Sequence, residues 1–249
     1  MVARMRRWST YAVLLTLVAV LVPNSAHTEA DFALLKVEHA TTVDRPRDVI
    51  WLLTLGSDAR KGQSIPNSRA DSIHLVGVNA KTGHGVVVGL PRDSYLPIPG
   101  HGSDKVNASM VFGGPQLTAR TVGQFADIRL DYVFLTDFSG FAGMIHHLGG
   151  IEVRPPQPMS GVGHSFGAGK QRMNGSEALS FSRIRYGLPR GDFDRSLNQG
   201  RVLKAGLARA RELADRPGRF ERMMVSAITR MRSDLSPAQL YRLGRVMLT

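Results

Sequence analysis

Cysteine is absent from all 249 residues, which excludes disulfide staples, thiolate metal sites and cysteine nucleophiles together. The absence identifies no compartment, although it suits a protein that works outside a reducing cytosol. Acidic residues are in short supply, with 20 Asp+Glu against 32 Lys+Arg and a net charge of +12. No internal repeat and no low-complexity tract occurs, and beyond its N-terminal segments the chain reads as one domain. The pair His146-His147 has no carboxylate at ligand spacing, so it reads as structural rather than as a metal site.

What is present begins with charge. From Arg183 to Thr249 there are 15 Lys+Arg against 6 Asp+Glu, an imbalance that predicts an acidic partner: nucleic acid, an anionic membrane surface or a phosphorylated polymer. The N-terminus narrows that choice. Arg4, Arg6 and Arg7 precede an uncharged run of 21 residues, Trp8 to Thr28, with an apolar centre from Tyr11 to Val22. The centre matches the apolar region of a signal peptide, with Thr28-Glu29-Ala30 as a cleavage site. The whole run, about 31 Å long as a helix, is also enough to span a bilayer. In either case the basic flank stays cytoplasmic and everything after it is exported, which sets nucleic acid aside. The expected organisation is a membrane anchor or signal segment over residues 1–28, a spacer over 29–47 and one folded domain over 48–249, outside the cytoplasm.

The pattern along that domain is α/β. Asp48 to Leu55 (DVIWLLTL) is a continuous apolar run closed by Gly56 and reads as a central buried strand. Asp58 follows at its carboxyl end, where ligands gather in open α/β sheets. Ser72 to Val78 and Gly85 to Leu90 read as a hairpin about Lys81-Thr82-Gly83, and Pro91-Arg92-Asp93-Ser94 comes next. Gln116 to Phe125 reads as a helix, Tyr132 to Leu135 as a strand, and Phe138 to Leu148 as a helix stopped by Gly149-Gly150. Ser160 to Gly169 reads as a glycine-rich hairpin and Asn174 to Phe181 as a short capped helix. The tail reads as three helices, Ser196 to Ala214, Arg219 to Met231, and Pro237 to Leu248 behind a Ser236 cap.

Between the capped helix and the tail lies the stretch RIRYGLPRGDFDRSLNQ, Arg183 to Gln199. Arg183 and Arg185 are two apart and leave one face of an extended segment. Asp192 and Asp194 stand where a helix N-cap is wanted, and Arg195 and Gln199 share one face of the helix that follows. Arginines on a strand edge facing an arginine at a positive helix N-terminus form a cradle for a polyanion, read here as a diphosphate. The alternative is a solvated basic loop. Asp58 and Asp71, each near an arginine, form a candidate metal pair, because magnesium takes one or two carboxylates and completes its shell with water and phosphate oxygens.

Five segments together resemble one family. GSDAR (Gly56 to Arg60), SRADS (Ser68 to Ser72), LPRDS (Leu90 to Ser94), DKVNAS (Asp104 to Ser109) and RIRYGLPRGDFDR…Q (Arg183 to Gln199) occur in the order of the LytR–CpsA–Psr, or LCP, family, over roughly Asp48 to Leu213. The resemblance implies a three-layer α/β/α sandwich with a central mixed sheet and a lipid-binding tunnel, so that residues 48–249 become a catalytic domain. It implies an enzyme of bacterial cell-wall assembly that takes a glycopolymer from a polyprenyl diphosphate carrier and joins it to a peptidoglycan acceptor through a phosphodiester. It also implies Mg²⁺ as cofactor. Residue by residue, Asp58 and Asp71 match magnesium-associated aspartates; Arg69, Arg92, Arg183, Arg185 and Arg195 match diphosphate-binding arginines; Asp192 and Gln199 match polar residues of the same pocket. Asp58, Asp71, Arg92, Arg183 and Arg185 are the expected catalytic set. One departure is visible: where the family commonly writes an arginine and two glutamines, this chain has Asn198-Gln199-Gly200. A polyprenyl diphosphate pyrophosphatase and a non-catalytic envelope protein that binds lipid-linked or anionic polymers are the alternatives.

Overall fold

The apolar run after Asp48 sorts its side chains strictly by parity. A computed structural model describes residues 32–38, 40, 48–59, 65 and 68–248. In strand β2 (Val49–Ser57), Ile50 and Leu52 enter one apolar cluster while Leu53 and Leu55 enter another. The period of two fixes which side of the sheet each residue meets. Strand β3 (Ala70–Asn79) does the same with Val76 and Val78 against Ile73 and Leu75, and β7 (Tyr132–Thr136) with Tyr132 against Val133 and Leu135. A sheet apolar on both faces has to be covered on both, and that requirement produces the three layers.

One face is covered by helix α1 (Ala108–Ala126), through Met110, Ala119 and Val122. The helix is interrupted at Gly113 and Gly114, the latter at φ 65°, and resumes from Pro115, a residue whose fixed φ suits a first helical position. The opposite face is covered by the tail helices α4 (Asp192–Ala214), α5 (Arg219–Arg230) and α6 (Pro237–Leu248), which contribute Ala214, Phe220, Met224, Leu240 and Leu243. Ser236 and Gln239 close a reciprocal cap before α6, with Gln239 N–H donating to Ser236 Oγ at 3.3 Å and Ser236 N–H to Gln239 Oε1 at 3.0 Å. A third cluster joins α2 (Phe138–His147), α3 (Gly175–Arg183) and α4 around Ile145, Phe181 and Val202.

The sheet has six strands in the order β12-β1-β7-β2-β3-β4, with β1 Phe32–Lys36, β4 Gly85–Gly89 and β12 Met231–Ser233. It is mixed: β2 runs parallel to β7 and antiparallel to β3, which is antiparallel to β4. The carboxyl ends of β2, β4 and β7 and the start of β3 therefore lie at one end of the sheet. Short pairs flank it, among them β5 (Tyr95–Ile98) with β6 (Gly102–Lys105) and β9 (Met159–Gly161) with β10 (His164–Phe166). Elements also occur where the sequence pattern showed none. Residues 32–36, inside the stretch expected to be a spacer, form β1 between β12 and β7. Five residues are too few to show a period, and only Leu34 among them is buried. Strand β12 takes Met231, the last residue of the expected Arg219 to Met231 helix, together with Arg232 and Ser233, where no element was expected, and three residues likewise show no period. The anchor or signal segment expected over residues 1–28 lies outside the described residues, and no helix among the described residues is long and apolar enough to cross a membrane.

Helices α2 and α3 touch backbone to backbone. A Cβ at Gly175 would stand 2.1 Å from the carbonyl oxygen of Ala142. Gly175→Ala should therefore lower stability by about 1–3 kcal/mol, the usual cost of overpacking, against the gain that alanine normally brings to a helix. Thermal melting checks the sign: a raised midpoint would contradict the close approach.

Candidate active site

The end of the sheet where β2, β4 and β7 finish and β3 begins carries nearly all the residues singled out in the sequence. Asp58 leaves β2, and its backbone N–H donates to Arg69 O at 3.1 Å, so Asp58 and Arg69 stand side by side. Asp71 occupies a β-bulge: Gly56 pairs with Ser72 but Ser57 with Ala70, which leaves Asp71 as the extra residue. Ala70 consequently joins Ile73 in one cluster, although strict alternation would put them on opposite faces. The bulge thus re-aims Asp71, as such irregularities do next to functional sites, and its Oδ1 accepts from Arg92 Nη1.

Arg92 comes from the loop after β4, and the Asp104 to Ser109 segment holds that loop in place. Val106 N–H donates to Ser94 O at 2.8 Å and Asn107 N–H to Arg92 O at 3.2 Å. Lys105 Nζ lies 3.2 Å from Asp93 Oδ1. Burial opposes the charge on Arg92, but the hydrogen bond and charge of Asp71 outweigh it, with Asp93 and Asp192 adding, and its pKa stands above the ordinary guanidinium value.

Helix α4 supplies the other half. Its N-cap is Gly191 at φ 52°, not an aspartate as the sequence suggested. Asp194 closes the turn from inside, its carboxylate accepting from Arg190 N at 2.9 Å and from Arg190 Nη2 at 2.6 Å. Those bonds hold the Asp194 carboxyl below the usual carboxylate range and occupy Arg190. Arg195 is only 7% exposed, and its Nη2 lies 2.5 Å from Asp192 Oδ1. Burial pulls the Arg195 pKa down, Asp192 and Asp71 raise it, and Arg92 and Arg185 lower it further. These mutual influences bring Asp71, Arg92, Arg185, Asp192 and Arg195 into one cluster of three cations and two anions. Arg92 Nε is buried there, 3.9 Å from Asp93 Oδ2 but without a hydrogen-bond partner among the described residues, and Asp192 Oδ1 likewise sits at ion-pair distance but off the hydrogen-bonding direction. A buried donor left unsatisfied is costly, and an anionic oxygen would satisfy it.

Arg183 corrects the expected strand edge: it is the last residue of α3, not part of an extended segment. It and Arg185 are exposed while Ile184 between them is buried, so both still face outward. The Arg183 guanidinium lies 4.5 Å above the Phe138 ring. Gly56 of β2 pairs with Thr136 of β7, so Phe138 emerges beside Asp58 and brings Arg183 to the same end of the sheet. Gln199 is tied to the end of α3, its Nε2 donating to Ser182 O at 3.3 Å. Asn198 points elsewhere: it is 1% exposed, accepts from Arg201 Nη1 at 2.7 Å and meets Met159 Sδ at 3.7 Å.

Two residues at this end were not found from the sequence. Phe138, which holds Arg183, looked like any helix-starting apolar residue. His74 is fully buried on β3 between Ser72 Oγ (3.2 Å from Nδ1) and Ser196 O (3.0 Å from Nε2); its one signal is a polar residue inside the apolar run Ile73 to Val78.

An α/β sandwich that gathers arginines at one end of its sheet has the charge there to attract a polyanion. The comparison with known proteins makes that class specific. The chain matches the LytR_cpsA_psr family over residues 18–249 and belongs to it. It is 40% identical over 159 residues to the polyisoprenyl-teichoic acid–peptidoglycan teichoic acid transferase TagU of Bacillus subtilis strain 168, covering 64% of this chain and 51% of that protein. Its identity to the Bacillus licheniformis protein of the same name is 38% over 170 residues, covering 68% and 54%. The chain thus spans about half the length of the curated relatives it matches. Among solved structures it is similar to B. subtilis TagU, with a TM-score of 0.60, 32% identity and coverage of 79% and 81%. It is also similar to TagT bound to LIIa-WTA, with a TM-score of 0.66, 25% identity and coverage of 85% and 81%.

The buried imidazole makes stability depend on pH. Burial lowers the His74 pKa from the usual 6.5, against a raising contribution from the Ser196 carbonyl. The unfolded chain then binds the extra proton first, so this contribution is complete above 6.5 and is lost as pH falls below it. Wild type should melt lower at pH 5.5 than at pH 7.5 by more than His74→Gln does; equal shifts in calorimetry would contradict the assignment.

Proposed function

We propose that this protein transfers a glycopolymer from a polyprenyl diphosphate carrier to peptidoglycan, making a phosphodiester link in bacterial cell-wall assembly. The observation that carries the reading is the coupling of two ion pairs, Arg92–Asp71 and Arg195–Asp192, with Arg185 acting on the same site and a buried Arg92 Nε that makes no hydrogen bond. The excess positive charge fits a diphosphate. Displacement at phosphorus needs little covalent help and much charge neutralisation and alignment, which preorganised guanidinium groups supply. Arg92, Arg185 and Arg195 would bind the diphosphate, with Arg69, Arg183, Asp192 and Gln199 around it. As the acceptor sugar hydroxyl bonds to the phosphorus bearing the glycan, its proton would pass to one of the site's aspartates, the bond to the bridging oxygen would break and polyprenyl phosphate would leave with the added charge. The names of the similar transferases support teichoic acid as the class of polymer.

Asp58 and Asp71 would hold Mg²⁺. The donor set fits: both offer hard carboxylate oxygens at adjacent strand ends, and Arg92 engages a single oxygen of Asp71. When bound, the ion would neutralise diphosphate oxygens. The lipid chain would lie between sheet and helices, and the domain would work on the outer face of the cell membrane.

The test supplies the full chain with a polyprenyl diphosphate-linked saccharide, Mg²⁺ and peptidoglycan, and measures polyprenyl phosphate release and polymer attachment. Wild type should give both, and Asp71→Ala or Arg183→Ala should lower turnover at least tenfold. Release without attachment would make the protein a pyrophosphatase, and binding without release a carrier of lipid-linked polymer.

A further inference from the structure

We propose that His74 is a positioning residue for the diphosphate site, one that locks the first turns of α4 against β3 and so sets the spacing between Arg195 and the Arg92–Asp71 pair. The inference deepens the transferase reading and rests on it for its kinetic part.

The hydrogen bonds determine the imidazole's form. Ser196 O, 3.0 Å from Nε2, can only accept, so Nε2 carries the proton and donates. Nδ1 is then an acceptor and takes the hydroxyl proton of Ser72, 3.2 Å away. A neutral ring is fully satisfied by these two partners, which suits a side chain with no solvent exposure. The contacts span 122 residues of sequence and join two elements that share no covalent neighbour. Ser72 directly follows Asp71, and Ser196 directly follows Arg195. The link from Ser72 through His74 to Ser196 is therefore a strut between the two ion pairs.

The surroundings are built for close approach. A Cβ at Gly89 would come 2.3 Å from Ser196 Oγ and 3.0 Å from His74 Nε2, so a larger residue at the end of β4 would have to displace both side chains. At Gly200, one turn after Ser196, a Cβ would make ordinary contact with the imidazole, 3.8 Å away. The strut also sets a balance of charges, because Asp192 and Asp71 favour the charge on Arg195 while Arg92 and Arg185 oppose it, and each of those influences depends on how far α4 stands from β3.

The test compares His74→Leu, which fills the space without a donor, with His74→Gln, whose amide nitrogen reaches roughly where Nε2 stood. Three measurements on the full chain are made: hydrogen exchange of the α4 amides, affinity for farnesyl diphosphate, and turnover in the release assay. His74→Leu should keep its melting midpoint within a few degrees, speed exchange in the first two turns of α4 while the β2 and β7 amides stay protected, and weaken farnesyl diphosphate binding and turnover at least fivefold. His74→Gln should restore all three to within about twofold. Unchanged exchange in His74→Leu would overturn the proposal, as would equal losses in both variants. If wild type itself neither binds nor turns over, the transferase reading fails, while the exchange data still decide whether His74 holds the helix.

Discussion

Like charges held close repel, and the nearness of the buried Arg195, the partly buried Arg92 and the exposed Arg185 is the constraint on which the rest of this structure turns. No single arginine there is unusual. What is unusual is the company each keeps, since burial and neighbouring cations both work against the charge on Arg195. Such a cluster cannot assemble itself; a scaffold must hold it. The two aspartates offset the neighbouring cations, and the packing of α4 onto the sheet fixes the distances between them. A site with three cations and two anions favours a ligand of opposite sign.

The scaffold meets that demand with small backbone devices. A bulge turns Asp71 toward Arg92, a left-handed Gly191 starts α4, and the Asp104 to Ser109 segment bonds backbone to backbone onto the arginine loop. That last motif holds the loop by its backbone. Its work is to fix where Arg92 begins.

Much of this was legible beforehand. The strands β2, β3 and β7 announced themselves because burial on two faces forces runs of apolar residues, and the tail helices because their caps and period agree. The site residues were found through motif order rather than through geometry. Reading Arg183 and Arg185 as a strand edge missed that α3 runs on through Arg183, since nothing local marks where a helix yields to a loop when the cap is Ile184. Asn198 drew attention as a departure from the family, yet it is buried against Met159 and Arg201. Sequence could not show this, because one helical position, 100° of rotation, separates it from Gln199. His74 and Phe138 stayed hidden for a different reason: their importance lies in what they touch, more than forty residues away in each case.

The pairing of β1 with β12 has a consequence for how the protein comes into being. Phe32 stands beside Met231, and Lys36 N–H donates to Asp234 Oδ1 at 2.9 Å across 198 residues. The edge of the central sheet therefore cannot close until nearly the whole domain has been delivered. Until then β1 lacks one neighbour and Leu34 lacks part of its cover, while the rest of the chain is still threading into place. Closing so long a loop is slow. The last strand to arrive is the one that completes the fold, and a domain built this way is committed late.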